Sequence, residues 1–150
     1  MALRVGAPVA GRVVGLAGVP DPVFAGAMVG PGTAVDPLPE PAPVGSPIDG
    51  TLVKLRPHAF VVLSGGGQGV LVHLGIDTVQ LGGEGFELLV EEGAVVAAGQ
   101  PLVRWDPAAV AASGRSPVCP VVALDAAREA LSELRDDGAV APGDQLFLWG

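Results

Sequence analysis

The chain contains two histidines, His58 and His73, and they set the chemistry open to it. His73 lies in Val70–Thr78, VLVHLGIDT, near the end of an apolar run, with a glycine turn and Asp77 directly after it. His58 opens a second run, HAFVVLS, and the glycine-rich stretch GGGQG lies between the two. Alternating apolar runs joined by glycines read as a β-hairpin, because glycine supplies the positive φ that tight turns need. With Gly65 and Gly66 as the two turn residues, the register places His58 directly opposite His73. Directly opposed side chains stand about 4.5–5.5 Å apart at Cβ, and a slip of one residue would send the two rings to opposite faces of the sheet.

Two facing imidazoles suit phosphoryl transfer. Histidine titrates near pH 6.5, so a large share of it is neutral and nucleophilic at neutral pH. One ring would accept the phosphoryl group while the other offers it a hydrogen bond, and such a transfer needs chiefly positioning and charge stabilisation. A second chemistry is zinc binding, with His58, His73 and Asp77 as three ligands and an open fourth position.

The elements that must hold these residues are short strands. Of the 150 residues 49 % are hydrophobic and 16 % charged, with 23 Gly and 15 Pro punctuating brief Val- and Leu-rich runs. That composition predicts an all-β fold, an antiparallel sandwich or barrel with one or two short helices, formed by residues 1–150 as one domain. Two internal echoes predict pseudo-repeated hairpin units. APVAGRVVGL (7–16) matches SPIDGTLVKL (46–55), and EEGAVVAAGQPLVRW (91–105) matches DDGAVAPGDQLFLW (136–149). Each unit is a turn feeding a strand and needs a partner to cover its apolar face. The proline-rich segment 36–47 is expected to be loop, since proline withholds a ladder donor. LDAAREALSEL (124–134) is expected to be a helix capped by Asp125, with Ala127, Ala130, Leu131 and Leu134 on one face, and a shorter helical turn is expected over 107–113.

The net charge of −8 argues against nucleic acid and anionic membranes, whose phosphates would be repelled, and favours a partner with a basic face. The single cysteine, Cys119, reads as a buried apolar residue. No secretory leader and no apolar stretch of membrane-spanning length is visible, so the chain is expected to work in the cytoplasm.

Five stretches carry a family resemblance: VPDPVFAGAMVGPGTAVDP (19–37), SPIDGTLVKL (46–55), PHAF (57–60), VLVHLGIDTVQLGGEGFE (70–87) and EEGAVVAAGQPLVRWD (91–106). In these the chain resembles the glucose-type enzyme IIA domain of the sugar phosphotransferase system. The resemblance implies a phosphotransferase component of antiparallel β-sandwich fold. His73 would accept a phosphoryl group through Nε2 from the phosphorylated carrier HPr and pass it to a cysteine of the IIB domain of a sugar permease. His58 would stabilise the group in transit, and Asp77 and the Gly75 backbone would orient the site. Val23, Phe24, Val29 and Leu71, with Arg56, would form the docking face. No cofactor is implied, although a zinc ion at a partner interface could use His58 and His73. Arg56 replaces the threonine that the family carries two places before the first histidine. It is read as solvated, with a charge-assisted contact to the phosphoryl group as the other option.

Two other functional readings stay beside this one. A zinc hydrolase on a related β-barrel would want three protein ligands, and no His-x-His pair is present. A regulator that binds transporters or kinases according to its phosphorylation state could share the same site. The remaining motifs read as structure. GGGQG and GGEGF (82–86) are turns, since no Lys-Ser/Thr ending or following helix marks a phosphate loop. Glu91–Glu92 and Asp136–Asp137 are solvated turn openings, and Trp105 and Trp149 are core.

Overall fold

The computed structural model describes residues 2–150. The strands are short, as the spacing of glycine and proline requires. In chain order they are β1 (Leu3–Gly6), β2 (Gly11–Val13), β3 (Gly32–Pro37), β4 (Ala42–Gly45), β5 (Gly50–Arg56), β6 (Ala59–Leu63) and β7 (Gly69–His73). There follow β8 (Phe86–Leu88), β9 (Val95–Val96), β10 (Pro101–Trp105), β11 (Cys119–Ala123), β12 (Leu131–Ser132), β13 (Ala139–Val140) and β14 (Gln145–Trp149). Two short helices interrupt them, α1 (Pro22–Ala25) and α2 (Pro107–Ala112). In each, an aspartate (Asp21, Asp106) accepts from the first-turn amides and a proline takes the first helical position, where its missing N–H costs nothing.

All pairings are antiparallel. One sheet runs β13-β2-β3-β11-β7-β6-β5-β9, and two three-stranded sheets run β1-β14-β12 and β4-β10-β8. The main core lies between the large sheet and the small ones. It joins Phe60, Val62, Val70, Val72 and Val121 to Phe147 and Trp149 and to Val103 and Trp105. The outer face of the large sheet carries a second cluster, in which Leu16, Val19 and Phe24 cover Ala34, Ile76 and Val122. The site is at the edge of this second cluster.

The echoes in the sequence are a pseudo-twofold in the structure, passing between the paired strands β7 and β11. The strand order is symmetric about that pair, with β13-β2-β3-β11 answering β9-β5-β6-β7. Matching hydrogen bonds support the correspondence. Gly6 N–H donates to Pro47 O as Gly45 N–H donates to Pro8 O, and Leu74 N–H donates to His58 O as Ala123 N–H donates to Pro31 O. Gly11 and Gly50 occupy equivalent crossings, where a Cβ would run into the carbonyls of Asp36 and Leu63 respectively. By the same matching His58 answers Pro31 and His73 answers Val122, so only one half carries the imidazoles.

Three expectations are corrected. The predicted helix over 124–134 does not form. Asp125 is in a left-handed turn (φ 57°), its N–H bonded to Val29 O, so it caps no helix. Only a 3-10 turn, Arg128–Ala130, follows, and then Leu131 and Ser132 pair with Trp149 and Leu148. Burial of Leu131 beside Trp149 outweighs the helical propensity of the alanines, which is a weak preference in any case. The proline-rich segment is not wholly loop either. β4 lies within it, at the edge of its sheet, where the missing N–H of Pro43 breaks no ladder that the fold needs.

The third correction is the hairpin register. Ser64 and Gln68 bond to each other across a three-residue turn, Gly65–Gly67, with Gly67 at φ 86°. A type I turn closed by a left-handed glycine is the usual three-residue hairpin. The extra residue shifts the ladder by one, so His73 pairs with Ala59 rather than with His58.

Candidate functional site

The register shift does not separate the two rings, because His58 is not a strand residue. It occupies, with Pro57, the two-residue turn between β5 and β6. Its carbonyl accepts from Leu74 N–H at 2.7 Å. Free of strand alternation, its ring reaches His73 with 5.2 Å between centroids and 67° between ring planes.

His73 ends β7, and the backbone after it folds into a tight anchor. Its Nδ1–H donates to Gly75 O at 2.5 Å. A carbonyl only accepts, so this contact fixes the tautomer and leaves Nε2 with its lone pair. Gly75 is at φ 78°, and a Cβ there would stand 2.7 Å from Thr78 Cγ2 and 2.9 Å from Ser116 O. Ile76 N–H donates to Ser116 O, and buried Thr78 donates its hydroxyl to Leu74 O at 2.7 Å. Asp77 adopts φ 60°, leaves its carboxylate exposed and precedes the 3-10 turn Thr78–Leu81. Cys119 is buried in β11, and burial pushes its thiol up to about 12, so it takes no part as a nucleophile.

The electrostatics favour neutral imidazoles. Burial lowers the proton affinity of His73, opposed by the Gly75 hydrogen bond and by the carboxylates of Asp21 and Asp77. Burial likewise lowers that of His58, helped by the charge of His73 and then by that of Arg56. A neutral His73 presents a nucleophilic Nε2, and the ring of His58 stands beside it.

Around the rings the apolar side chains graduate from buried to exposed. Phe24 packs on the His73 ring at 5.3 Å between centroids. Val23 is 41 % exposed, while Val29 and Leu71 are half-buried on the second cluster. Arg56 ends β5, bonded to Leu55 O at 2.9 Å and to Glu92 at 3.3 Å. Glu92 also accepts Leu55 N–H, so it is more than the solvated turn residue expected. Asp21 escaped the sequence reading although the signal was present, since an aspartate before proline marks a helix N-cap. Among the described residues no group of three or more His, Cys, Asp or Glu side chains is placed to hold a metal ion, so Asp77 does not complete a three-ligand zinc set with the histidines.

The comparisons agree with one another. The profile of the family described as phosphoenolpyruvate-dependent sugar phosphotransferase system, EIIA 1, matches residues 3–128. The glucose-specific EIIA component of Bacillus cereus is 42 % identical over 118 residues, covering 77 % of this chain and 70 % of that protein. The N-acetylglucosamine-specific EIICBA component of Escherichia coli is 48 % identical over 117 residues, 77 % of this chain but 18 % of that longer protein. Among solved structures, glucose permease IIA from Mycoplasma capricolum superposes with a TM-score of 0.90 and 34 % identity, over 99 % of this chain and 96 % of that one. The all-β fold, the paired imidazoles and the matched profile lead to one conclusion: the chain belongs to the EIIA 1 family of the phosphoenolpyruvate-dependent sugar phosphotransferase system.

Proposed function

We propose that His73 is the phosphoryl acceptor of a sugar-system phosphocarrier and that His58 steadies the group while it is held. The observation that carries this is the Nδ1–H contact of His73 to Gly75 O, which leaves Nε2 unprotonated beside a second imidazole. The unit moved is PO3⁻. The P–N bond of phospho-HPr breaks, and the donor imidazole keeps the electron pair. The Nε2 lone pair of His73 forms the new P–N bond, and the proton on Nδ1 stays there, donated to Gly75 O. In the onward step the thiolate of a IIB-domain cysteine forms an S–P bond, and His73 leaves with the pair it brought. Once phosphate is bound, its negative charge favours a proton on His58, which then donates to a phosphoryl oxygen.

The apolar residues Val23, Phe24, Val29 and Leu71 provide the docking face, and Asp21 and Asp77 suit it to a basic partner surface. No cofactor enters these steps. A zinc ion at a partner interface would take only His58 and His73 from this chain and would draw its other ligands from the partner.

Incubation with phosphoenolpyruvate, enzyme I and HPr, followed by mapping of acid-labile phosphate, tests the reading. His73→Ala takes no label. His58→Gln accepts label and fails to pass it on. Normal labelling of the His73 variant refutes the assignment.

A further inference from the structure

Arg56 lies in one transverse row with the reactive histidine. The ladder pairs Arg56 with Ala59 and Ala59 with His73, so the three side chains leave the same face of the sheet. Burial follows that alternation, since Leu55, Phe60 and Val72 on the opposite face are in the main core. Two strand spacings of about 4.8 Å separate Arg56 from His73 along the row. The residue between them, Ala59, raises only a methyl group. An arginine stem and the His73 ring with its phosphoryl group together span that gap.

We propose that Arg56 binds the phosphoryl group on His73, leaving Glu92 to do so, and thereby stabilises the phosphorylated state. This rests on the phosphocarrier reading. The present partner of Arg56 is easily given up. The pair with Glu92 is 3.3 Å long and its side chains are 60 % and 50 % exposed, and exposed pairs of this kind contribute little. A guanidinium on a phosphoryl dianion makes shorter, charge-assisted and often bidentate hydrogen bonds. The site also has need of a cation, because Asp21 and Asp77 act on His73 with the same sign as the incoming group. The charge of Arg56 is already felt at His58, next to the rings.

The equilibrium constant for phosphoryl exchange between phospho-HPr and this chain isolates the effect. A residue that only touches the docked partner changes forward and reverse rates together and leaves that constant alone. Phosphorus NMR of mixtures of the two whole proteins reads it. Arg56→Gln shifts the equilibrium about tenfold towards HPr, the low end for a hydrogen bond to a charged group, and Arg56→Lys lies between. Glu92→Gln keeps an acceptor for Leu55 N–H, frees the guanidinium and shifts the equilibrium towards this chain. The double variant matches Arg56→Gln. An unchanged constant in Arg56→Gln overturns the proposal, and so does a loss in Glu92→Gln equal to that in Arg56→Gln. Label on a residue other than His73 in the unaltered chain overturns the phosphocarrier reading instead, and the two failures are distinct.

Discussion

Replacing Gly75 by alanine tests the anchor beneath His73. At φ 78° an L-residue pays roughly 1–2 kcal/mol for the left-handed conformation. The new Cβ would also stand 2.7 Å from Cγ2 of buried Thr78 and 2.9 Å from the backbone oxygen of half-buried Ser116, contacts too short to persist without a shift. Overpacking of this kind costs about 1–3 kcal/mol, which brings the total to roughly 2–5 kcal/mol. In a chain of this length each 1 kcal/mol shifts Tm by roughly 2–4 °C, so a fall on the order of 10 °C is expected in a thermal melt. Gly82→Ala is the internal control. Its φ of 62° carries the same conformational cost, but nothing lies within 4 Å of its Cβ, so only the first part of the loss is expected. The same displacement moves Gly75 O away from Nδ1, and nitrogen-15 NMR of the His73 ring should show a mixture of tautomers in Gly75→Ala and one in Gly82→Ala. Equal melting losses for the two variants, with an unaltered His73 tautomer, would refute the crowding argument.

Three further outcomes are expected. Burial depresses both histidines below their ordinary value of 6.5, so the unfolded chain binds more protons than the folded one just below that pH. Their contribution to stability is therefore whole above about pH 6.5 and is lost as pH falls through the lower folded values. NMR titration of the ring protons should place both midpoints below 6.5, and a midpoint above it contradicts the electrostatics. Thr78→Val preserves shape but strands Leu74 O, at about 1–3 kcal/mol in a denaturant melt. Cys119 should resist an aromatic disulfide reagent at pH 8 until the chain unfolds, and rapid labelling of the native protein would contradict its burial.

The register of the imidazole hairpin shows where reading the chain runs out. GGGQG marks a turn unambiguously, but a run of three glycines accepts either a two- or a three-residue loop, and local preference does not choose between them. Packing chooses, because the observed ladder sends Phe60, Val62, Val70 and Val72 together into the main core. The two rings meet although the expected ladder was wrong, since His58 is in a turn whose side chains escape the two-residue alternation of a strand. The helix expected over 124–134 failed for a similar reason: its apolar spacing was real, but Trp149 offers Leu131 a strand partner that no local pattern reveals. The pseudo-twofold, by contrast, was visible as two echoes, because the same close crossings demand glycine at Gly11 and at Gly50.

Residue types and spacing alone determined that this chain is a β protein with internal repeats, that its two histidines, His58 and His73, flank one glycine-rich turn, and that a glycine turn and Asp77 follow the second of them. Those features are local, and a strand, a tight turn or an imidazole declares itself within a few residues. Which way each ring faces, the protonation of Nδ1 by way of Gly75 O, the nearness of Asp21 and the row from Arg56 across Ala59 to His73 were decided only by the tertiary structure. Each of these depends on segments distant in the chain settling on a shared register, and that register is set by the burial of the whole core rather than by any one stretch of it.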